Sequence, residues 1–369
     1  MQNCPNCGNT TKRIIEYDGR KFCSNCMDYS YPLDTNVLDP IELKEKLDEV
    51  FFGQDSVKTK LSIIIFKHLL KVRNIDSSAI SNEPSLLVGP SGSGKTFLIN
   101  SISKILDIPV LVVDSNQLSE IGYVGGDTNS ILRNLLEICD WDISKAERAI
   151  IYFDEIDKKS FKPDIISDSR DISGLGVQYQ MLKMIDGDDF FVKKSITDTV
   201  KINTGNILFL GGGSFTGIEE IVMERNISNI YNFIYDQNDI EQNYTILHQD
   251  LIDFGIIPEL AYRFSNLIYL SSLKENDYMR MLESVDSPIN EYKLIFKSYG
   301  IELVIPKKVL QFLAKQATLQ KGGGRAIRSL VDNLMGDIMF SIKKYQEQKI
   351  TKITLTDDYP TSKKIKTKK

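Results

Sequence analysis

Residues 89–96 place the strongest constraint on how this chain can fold. They read GPSGSGKT and match the pattern G-x-x-x-x-G-K-[ST] at every fixed position. An apolar segment over 85–88 precedes them, and a helical stretch over 97–105 follows. A strand, a glycine-rich loop and a helix in this order present backbone N–H groups to phosphates. The pattern predicts a nucleotide site formed by Gly89, Pro90, Ser91, Gly92, Ser93, Gly94, Lys95, Thr96 and Phe97.

A second segment, residues 149–155, reads AIIYFDE, an apolar strand that ends in two carboxylates. With ATP in the loop, Lys95 would neutralise the β- and γ-phosphates, and the hydroxyl of Thr96 would ligate Mg²⁺. Asp154 would hold Mg²⁺ through water, and Glu155 would orient or deprotonate the attacking water. A polar turn at a strand end is the alternative interpretation of the two acids taken alone.

Short apolar segments alternate with helix-length stretches through the centre of the chain, at 85–88, 109–114, 149–153 and 207–210. This alternation predicts an α/β fold, a parallel sheet with crossover helices. After residue 270 the pattern becomes amphipathic helices over 273–285, 287–299, 307–320 and 325–346, with a strand at 349–355. We therefore expect a cysteine module and linker at 1–35, a large α/β ATPase domain at 36–270, a small helical domain at 271–358 and a basic disordered tail at 359–369.

The N-terminal module carries four of the five cysteines as two C-x-x-C pairs separated by fifteen residues. This spacing fits a tetrahedral Zn²⁺ site with four thiolate ligands, Cys4, Cys7, Cys23 and Cys26. A unit this short cannot bury enough apolar surface alone, so the metal would supply folding energy. Redox-active dithiols are the alternative. Cys139 is expected to be a small core residue.

The overall charge excludes some classes of partner. The formal net charge is −5, so the chain as a whole is not expected to coat nucleic acid or an anionic membrane. Its start has no apolar segment of the secretory type, and no apolar run reaches the roughly 20 residues that span a bilayer. The sequence therefore predicts a cytoplasmic protein.

The order of these motifs resembles that of the ClpX family of AAA+ unfoldases along nearly the whole chain, the zinc module included. The resemblance implies an AAA+ P-loop NTPase that uses ATP and Mg²⁺ to thread proteins through the pore of a homo-hexamer. Residues 50–54, VFFGQ, are similar to the family's V-x-G-Q box, which would place Val50 and Phe52 near the adenine. A helix-turn-helix junction in the core is the alternative for this segment.

Two segments resemble the family's pore loops. Residues 121–127, IGYVGGD, are similar to the G-Y-V-G loop, in which Tyr123 and Val124 would contact the polypeptide being moved. Glycines beside an aromatic residue let its side chain project from a mobile loop. Residues 169–178, SRDISGLGVQ, resemble a second loop, in which Arg170 and Asp171 would couple the pore to the nucleotide. The alternatives are a tyrosine that caps a local core and a solvated charge pair.

Three further segments carry expected nucleotide contacts. Residues 257–263, IPELAYR, are similar to the family's I-P-E-x-x-x-R, which implies that Arg263 reaches the ATP of a neighbouring subunit. Residues 323–328, GGRAIR, resemble the sensor-2 motif, in which Arg325 would contact phosphates of its own subunit. Residues 211–215, GGGSF, stand where the family has sensor 1. There, Ser214 would contact the γ-phosphate, or the glycines would form a plain turn.

The sequence also departs from the family. No I-G-F tripeptide, the family's docking element for the ClpP peptidase, occurs between residues 217 and 250. Where the basic R-K-H loop is expected, the sequence has the lysine pair Lys193 and Lys194 and neither an arginine nor a histidine. Protein substrates and adaptors that bind the zinc module are expected partners, whereas a ClpP-like peptidase stays open. The competing functions are a remodelling chaperone without a peptidase, a nucleic-acid-directed AAA+ ATPase that uses a zinc ribbon, and a nucleotide-gated scaffold.

Overall fold

The computed structural model describes short N-terminal strands and eight longer ranges, 38–73, 80–106, 108–118, 128–161, 172–232, 245–320, 322–357 and 365–368. At the N-terminus, β1 (Gln2–Asn3) pairs antiparallel with β2 (Thr10–Thr11), and β3 (Ile14–Tyr17) pairs antiparallel with β4 (Arg20–Cys23). Cys23 therefore ends a hairpin strand, opposite Ile14. The other expected zinc ligands, Cys4, Cys7 and Cys26, lie outside the described residues.

Between residues 38 and 269 the chain alternates strands with helices. The strands are β5 (Ser85–Val88), β6 (Val110–Asp114), β7 (Ile150–Asp154), β8 (Asp189–Lys193), β9 (Thr199–Asn203), β10 (Leu208–Gly213) and β11 (Asn266–Tyr269). The helices are α1 (Pro40–Val50), α2 (Asp55–Arg73), α3 (Lys95–Ile105), α4 (Thr128–Ile138), α5 (Ile143–Ala146), α6 (Ile172–Ile185), α7 (Ile218–Asn232), α8 (His248–Phe254) and α9 (Pro258–Arg263). A five-stranded sheet has the order β11-β5-β10-β7-β6, and all its pairings are parallel. The predicted α/β architecture is confirmed.

Helices cover both faces of this sheet, which is why its inner strands are continuous apolar runs. Alternate residues of β7 point to opposite faces. Ile150 and Tyr152 belong to the core under α1, α2 and α3. Ile151 and Phe153 belong to the core under α4, α6, α7, α8 and α9. Strand β10 lies between β5 and β7, and the three strands are parallel. The carboxyl ends of β5 and β7 therefore lie at the same end of the sheet, separated by one strand.

The first helix shows how local sequence sets the element boundaries. Helix α1 begins at Pro40 because the Asp39 carboxylate accepts hydrogen bonds from the backbone N–H groups of Ile41 (2.7 Å) and Glu42 (2.8 Å). The Glu42 carboxylate in turn accepts from the N–H of Asp39 at 3.2 Å. This reciprocal capping box satisfies N–H groups that the first helical turn leaves without partners.

The glycine run after residue 210 is strand, not a turn. Gly211, Gly212 and Gly213 continue β10 and are buried. A Cβ atom on Gly212 would lie 1.9 Å from the Tyr152 hydroxyl oxygen, and one on Gly213 would lie 2.6 Å from Asp157 Oδ1. Side chains of the neighbouring segments occupy the space on both faces, so only glycine fits. The expectation that the strand ends at 210, and the alternative of a glycine turn over 211–213, are wrong.

The hairpin of β8 and β9 lies between residues 187 and 206. This is the segment in which the sequence has the adjacent pair Lys193 and Lys194 in place of the family's basic loop. Lys193 ends β8, and the Lys194 ammonium lies 5.3 Å from the centre of the Trp141 ring. At the tip of the hairpin, Ile196 is fully exposed. The region is therefore a defined hairpin that carries an apolar side chain at its tip.

Residues after 271 form a second hydrophobic core. Its helices are α10 (Glu275–Glu283), α11 (Pro288–Ser298), α12 (Lys307–Gln320), α13 (Gly323–Phe340) and α14 (Ile342–Glu347). Its strands are β12 (Glu302–Val304), β13 (Lys352–Leu355) and β14 (Ile365–Lys368). Helix α12 has the bounds that the sequence predicts, whereas the single helix expected over 325–346 is divided between α13 and α14. The strand expected at 349–355 is shorter.

The C-terminal residues differ from the expected disordered tail. Strand β14 pairs antiparallel with β13, with Leu355 opposite Ile365 and Lys352 opposite Lys368. Because β12 pairs with only one edge of β13, the other edge offers backbone N–H and C=O groups to a further strand. Residues 365–368 pair with that edge even though two of them are lysines. The expectation of disorder is therefore wrong for these residues.

Candidate active site: a nucleotide cleft between the two cores

A cavity of about 1270 Å³ lies where the carboxyl ends of β5, β7 and β10 face the helices of the second core. Its walls come from the loop after β5, the junction between α1 and α2, and helices α10, α11 and α13. Ligands in open α/β sheets bind outside the carboxyl ends of the strands. The cavity therefore stands where the sequence predicts the nucleotide.

The glycine-rich loop has the conformation that its sequence predicts. Gly92 and Gly94 have φ angles of +81° and +94°, which favour glycine. A Cβ atom on Gly94 would lie 2.6 Å from Cε2 of Phe51, so this glycine also allows a close approach. Helix α3 begins directly afterwards at Lys95. Its first N–H groups lack helical partners and form an anion site at the end of the loop.

Lys95 is buried within the loop. Its ammonium donates to the carbonyl oxygens of Gly89 (2.6 Å) and Pro90 (3.2 Å). Burial lowers its pKa, and the carboxylates of Asp154, Asp157 and Glu155 oppose that effect. Carbonyl oxygens therefore hold the ammonium beside the loop, where an anionic phosphate is a stronger acceptor.

The two side chains expected to hold Mg²⁺, Thr96 directly and Asp154 through water, are in contact. The Thr96 hydroxyl donates to Asp154 Oδ2 at 2.5 Å. The Tyr152 hydroxyl donates to Asp154 Oδ1 at 3.2 Å, which fixes the carboxylate at the strand end. A hydroxyl and a carboxylate are hard oxygen donors that suit Mg²⁺. This donor pair fits the ion that the sequence predicts.

Glu155 lies at the end of β7 in a left-handed conformation, with a φ angle of +56°. Its Oε2 atom accepts a short hydrogen bond from the side-chain amide of Asn116. Asn116 stands two residues beyond Asp114, which is paired in register with Asp154. The sequence analysis did not identify Asn116. The available signal was its position just after the strand that neighbours β7.

Ser214, the expected sensor-1 residue, contacts the acidic segment of the same subunit. Its hydroxyl donates to Asp157 Oδ2 at 2.8 Å, and its backbone N–H donates to Asp157 Oδ1 at 3.1 Å. The hydroxyl hydrogen is therefore already engaged in this structure. Ser214 thus connects the end of β10 to the turn that follows Glu155.

Aromatic side chains form the wall expected to hold the base. Val50, Phe52 and Phe97 line the cavity as predicted. The sequence analysis missed two partners. Phe51 stacks on Phe97 with ring centroids 6.2 Å apart, and the Arg280 guanidinium lies 5.2 Å from the centre of the Phe52 ring. The cation–π contact joins the α1–α2 junction to α10 of the second core.

The glycine and glutamine of the same segment connect the two cores. The Gln54 side-chain amide donates to the Ser271 carbonyl at 2.5 Å and accepts from the Ser271 N–H at 3.2 Å. A Cβ atom on Gly53 would lie 2.8 Å from Asp277 Oδ1, at the start of α10. Residues 53 and 54 therefore hold the chain that links β11 to the second core.

Helix α13 meets the glycine-rich loop directly. Arg325 lines the cavity in the first turn of this helix, as predicted. Three residues later, Arg328 forms an ion pair with Glu291 at 2.8 Å. Within the described part of the chain Arg325 has no such ion pair. Arg325 thus stands at the cavity where the sequence predicts a contact with phosphates.

Gly323, the first residue of α13, has a φ angle of +61°, and a Cβ atom on it would lie 1.7 Å from the Gly92 carbonyl oxygen. Gly323→Ala should therefore displace α13 from the loop and weaken binding of a fluorescent ATP analogue roughly tenfold, about 1.4 kcal/mol. Gly336→Ala is the matched control, because position 336 on the same helix has open space. Equal affinities in the two variants would show that the contact with Gly92 does not support binding.

Arg263 does not line this cleft. It ends α9 near the amino ends of the strands, beside Pro84 and Ile207. There its Nε atom lies 2.7 Å from Asp186 Oδ1. Its side chain is 55% exposed. The residues expected to act on the ATP of their own subunit thus lie in one cleft. Arg263, which is expected to act on the ATP of a neighbouring subunit, lies elsewhere on the surface.

Four expected pore-loop residues, Tyr123, Val124, Arg170 and Asp171, lie outside the described residues. Among the residues that are described, no cluster of three or more His, Cys, Asp or Glu side chains could hold a metal ion. Within the same ranges, no helix is long and apolar enough to cross a membrane. Cys139 is buried, as expected for a core residue.

The sequence matches known proteins over the region of this cleft and beyond. A family model described as AAA domain (Cdc48 subfamily) matches residues 82–267. A Bacteroides thetaiotaomicron protein named ATP-dependent Clp protease ATP-binding subunit ClpX is 37% identical, over 86% of this chain and 80% of the relative. Proteins of the same name from Borrelia duttonii and Treponema denticola are 33% and 36% identical, over 97% and 90% of this chain and 90% and 88% of their own lengths. Since relatives of this identity span most of both chains and the cleft carries the catalytic pattern, this protein belongs to the ClpX family of AAA+ ATPases.

Proposed function

We propose that this ClpX-type, ATP-dependent unfoldase works as a homo-hexameric ring in which Arg263 of one subunit completes the nucleotide cleft of the next. One observation carries the proposal: the cis residues converge on a single cleft, and Arg263 is exposed outside it. A head-to-tail interface that closes into a ring presents such a residue to each neighbour. Hydrolysis would then depend on assembly.

Within the cleft, each side chain has a defined task in the hydrolysis of ATP. Thr96 and Asp154 would hold Mg²⁺, which neutralises charge on the β- and γ-phosphates. Lys95 and Arg325 bind phosphate oxygens, and Val50, Phe52 and Phe97 provide an apolar wall for the adenine. Glu155 orients or deprotonates the attacking water. Its Oε1 atom has no hydrogen-bond partner within the described residues, so that oxygen is the one available to the water.

The mechanical part of the proposal rests on Tyr123, in the segment that resembles the family's pore loop. Tyr123→Ala should keep most of the ATPase activity and lose unfolding of a tagged fluorescent protein, because hydrolysis no longer moves a side chain that holds the polypeptide. Tyr123→Phe should unfold the substrate, since it keeps the aromatic ring. Loss of fluorescence under ATP is the measurement. Normal unfolding by the alanine variant would contradict a pore role for Tyr123.

Delivery to a peptidase is a separate proposal. The relatives are named as subunits of the Clp protease, yet the segment 217–250 has no I-G-F tripeptide. Helix α7 occupies its first part, through Asn232. Remodelling without ClpP is therefore the second candidate function. Running the unfolding assay with a co-encoded peptidase distinguishes the two, because only delivery gives peptide products.

The N-terminal cysteines are proposed to bind Zn²⁺ and to form a docking module for adaptors or substrates. Four thiolates are a donor set typical of a structural zinc site. Cys23, at the end of a β-hairpin, is the ligand whose backbone position is described. Because four cysteines would complete the coordination, no open position would remain for catalysis. The ion would stabilise the module.

A further inference from the structure

Helix α9, which carries Arg263, is short and is held by contacts with its neighbours. It has six residues, Pro258–Arg263. Leu260 and Ala261 anchor it in the core of the α/β unit. Ile257 and Phe264, the residues on either side of the helix, are buried in the same core. This packing places the helix backbone, and the polar contact to the exposed Arg263 side chain sets where its guanidinium stands.

The N-terminal end of α9 is held by Gln178 of α6. The Ile257 N–H donates to Gln178 Oε1 at 2.7 Å, and the glutamine side chain is fully buried. The same side chain donates through Nε2 to the carbonyl oxygens of Lys159 (2.7 Å) and Gly255 (3.2 Å). Lys159 ends the 3₁₀ turn that starts directly after Glu155. One buried amide thus joins the hydrolytic segment to the start of the arginine helix.

At the C-terminal end of α9, His248 contacts the Phe264 carbonyl oxygen at 2.8 Å. The Arg263 side chain itself is held by Asp186, the residue directly after α6. The ion pair joins Asp186 Oδ1 to Nε of Arg263 at 2.7 Å. A guanidinium has five N–H donors, and four of them belong to the two Nη groups. A carboxylate that binds Nε leaves the Nη groups for a phosphate. Asp186 can therefore orient the arginine without occupying the atoms that would contact ATP.

The exposure of this ion pair indicates that its role is orientation and not stability. The side chains of Asp186 and Arg263 are 32% and 55% exposed. Exposed pairs of this kind contribute little to the stability of the fold, since water screens them. A change at Asp186 should consequently leave the fold intact, so a catalytic effect can be read without a folding defect.

We infer that Asp186 is a positioning residue for Arg263, and that α6, through Gln178 and the adjoining Asp186, holds the start of the arginine helix and the guanidinium at its end relative to the segment that carries Glu155. This inference rests on the proposed action of Arg263 in the neighbouring subunit. Helix α6 contacts the segment that follows Glu155 in its own subunit. By the same inference, α6 also sets the position of the arginine that reaches the ATP of the neighbouring subunit. A shift at Lys159 would reach α9 through Gln178.

The first test is Asp186→Asn in the full-length protein. Asparagine keeps the size of the side chain but loses the charge, so it holds the guanidinium less firmly than the carboxylate does. We expect kcat for ATP hydrolysis to fall roughly tenfold, with unchanged affinity for a fluorescent ATP analogue and an unchanged melting temperature. Asp186→Glu, which restores the carboxylate, should recover part of the rate. A normal kcat in Asp186→Asn, or a loss of nucleotide affinity, would overturn the inference.

Asp189→Asn is the matched control. Asp189 is also an exposed aspartate, three residues further along the chain, and its ion pair at 2.8 Å joins Lys201 on the neighbouring strand of the hairpin. The same chemical change there removes an ion pair that does not involve Arg263. We expect kcat within error of the unchanged protein. An equal fall in both aspartate variants would assign the effect to surface charge and contradict the positioning role.

Mixed rings separate this inference from the proposed function. Glu155→Gln subunits cannot hydrolyse ATP but still carry Asp186 and Arg263. When they are mixed with Asp186→Asn subunits, turnover per Asp186→Asn subunit should rise several-fold, because some neighbours now present a correctly held arginine. Arg263→Ala is the reference. If mixing does not restore hydrolysis by Arg263→Ala subunits, the proposal that Arg263 acts in the neighbouring subunit is wrong. If mixing rescues Arg263→Ala but not Asp186→Asn, only the positioning inference fails.

Discussion

A Glu155→Gln variant is expected to bind ATP with nearly normal affinity and to hydrolyse it at least about a hundredfold more slowly, the usual contribution of a positioned general base. Glutamine preserves the size of the side chain at the end of β7 and can still accept from Asn116. It cannot take a proton from water. Binding should be measured by titration with a fluorescent ATP analogue, and hydrolysis by phosphate release.

The control for this prediction is Glu137→Gln. Glu137 is an exposed glutamate of α4 that forms an ion pair with Arg133 one turn earlier. The same isosteric change there should leave both affinity and turnover unchanged. Turnover of Glu155→Gln within threefold of the unchanged protein would show that Glu155 is not the residue that activates water. Asp157, the next acid along the chain and already bound to Ser214, would then be the residue to test.

The parts of the cleft that could be predicted from sequence are those fixed by local pattern. The glycine-rich loop, Lys95, Thr96 and Asp154 lie within short segments whose residue types and spacing alone define their chemistry. Strand β5 has the predicted bounds, because a buried parallel strand is a continuous apolar run with abrupt ends. These features can be predicted without knowing which residues lie on the other side of the cleft.

The parts that could not be predicted depend on contacts between distant segments. Asn116 approaches Glu155 only because β6 and β7 are paired in register. Arg280 reaches Phe52 across the two cores, and Asp186 reaches Arg263 across α6 and α9. In each case the two residues are far apart in sequence, and neither stands in a pattern that specifies its partner.

Strand assignments failed for a related reason. The run Gly211–Gly213 has low intrinsic preference for strand. The side chains packed around it, Ile156 at Gly211, Tyr152 at Gly212 and Asp157 at Gly213 among them, explain why glycine is required. Residues 365–368 are rich in lysine, a composition typical of solvated segments, yet they pair with the open edge of β13. Contacts with distant segments determine the conformation of both segments, and these contacts cannot be deduced from composition.

Arg263→Ala is the second variant for which a very large effect is expected. Alone, it should slow ATP hydrolysis by about a thousandfold, since an arginine supplied in trans stabilises charge in the transition state by that order. Nucleotide affinity should change little, because an arginine supplied in trans acts on charge that develops in the transition state and not in the bound ground state. Loss of affinity without loss of kcat would place Arg263 outside the catalytic step.

Mixing Arg263→Ala with Glu155→Gln subunits tests the direction of that contact. Each variant is inactive alone, but an Arg263→Ala subunit keeps its own Glu155 and can receive the arginine of a Glu155→Gln neighbour. With random assembly at equal amounts, half of the Arg263→Ala subunits have such a neighbour, so roughly a quarter of the full activity should return. The recovered rate should be highest at equal amounts and should fall on either side. If Arg263 acted within its own subunit, no mixing ratio would restore hydrolysis, because every subunit would still lack one essential group.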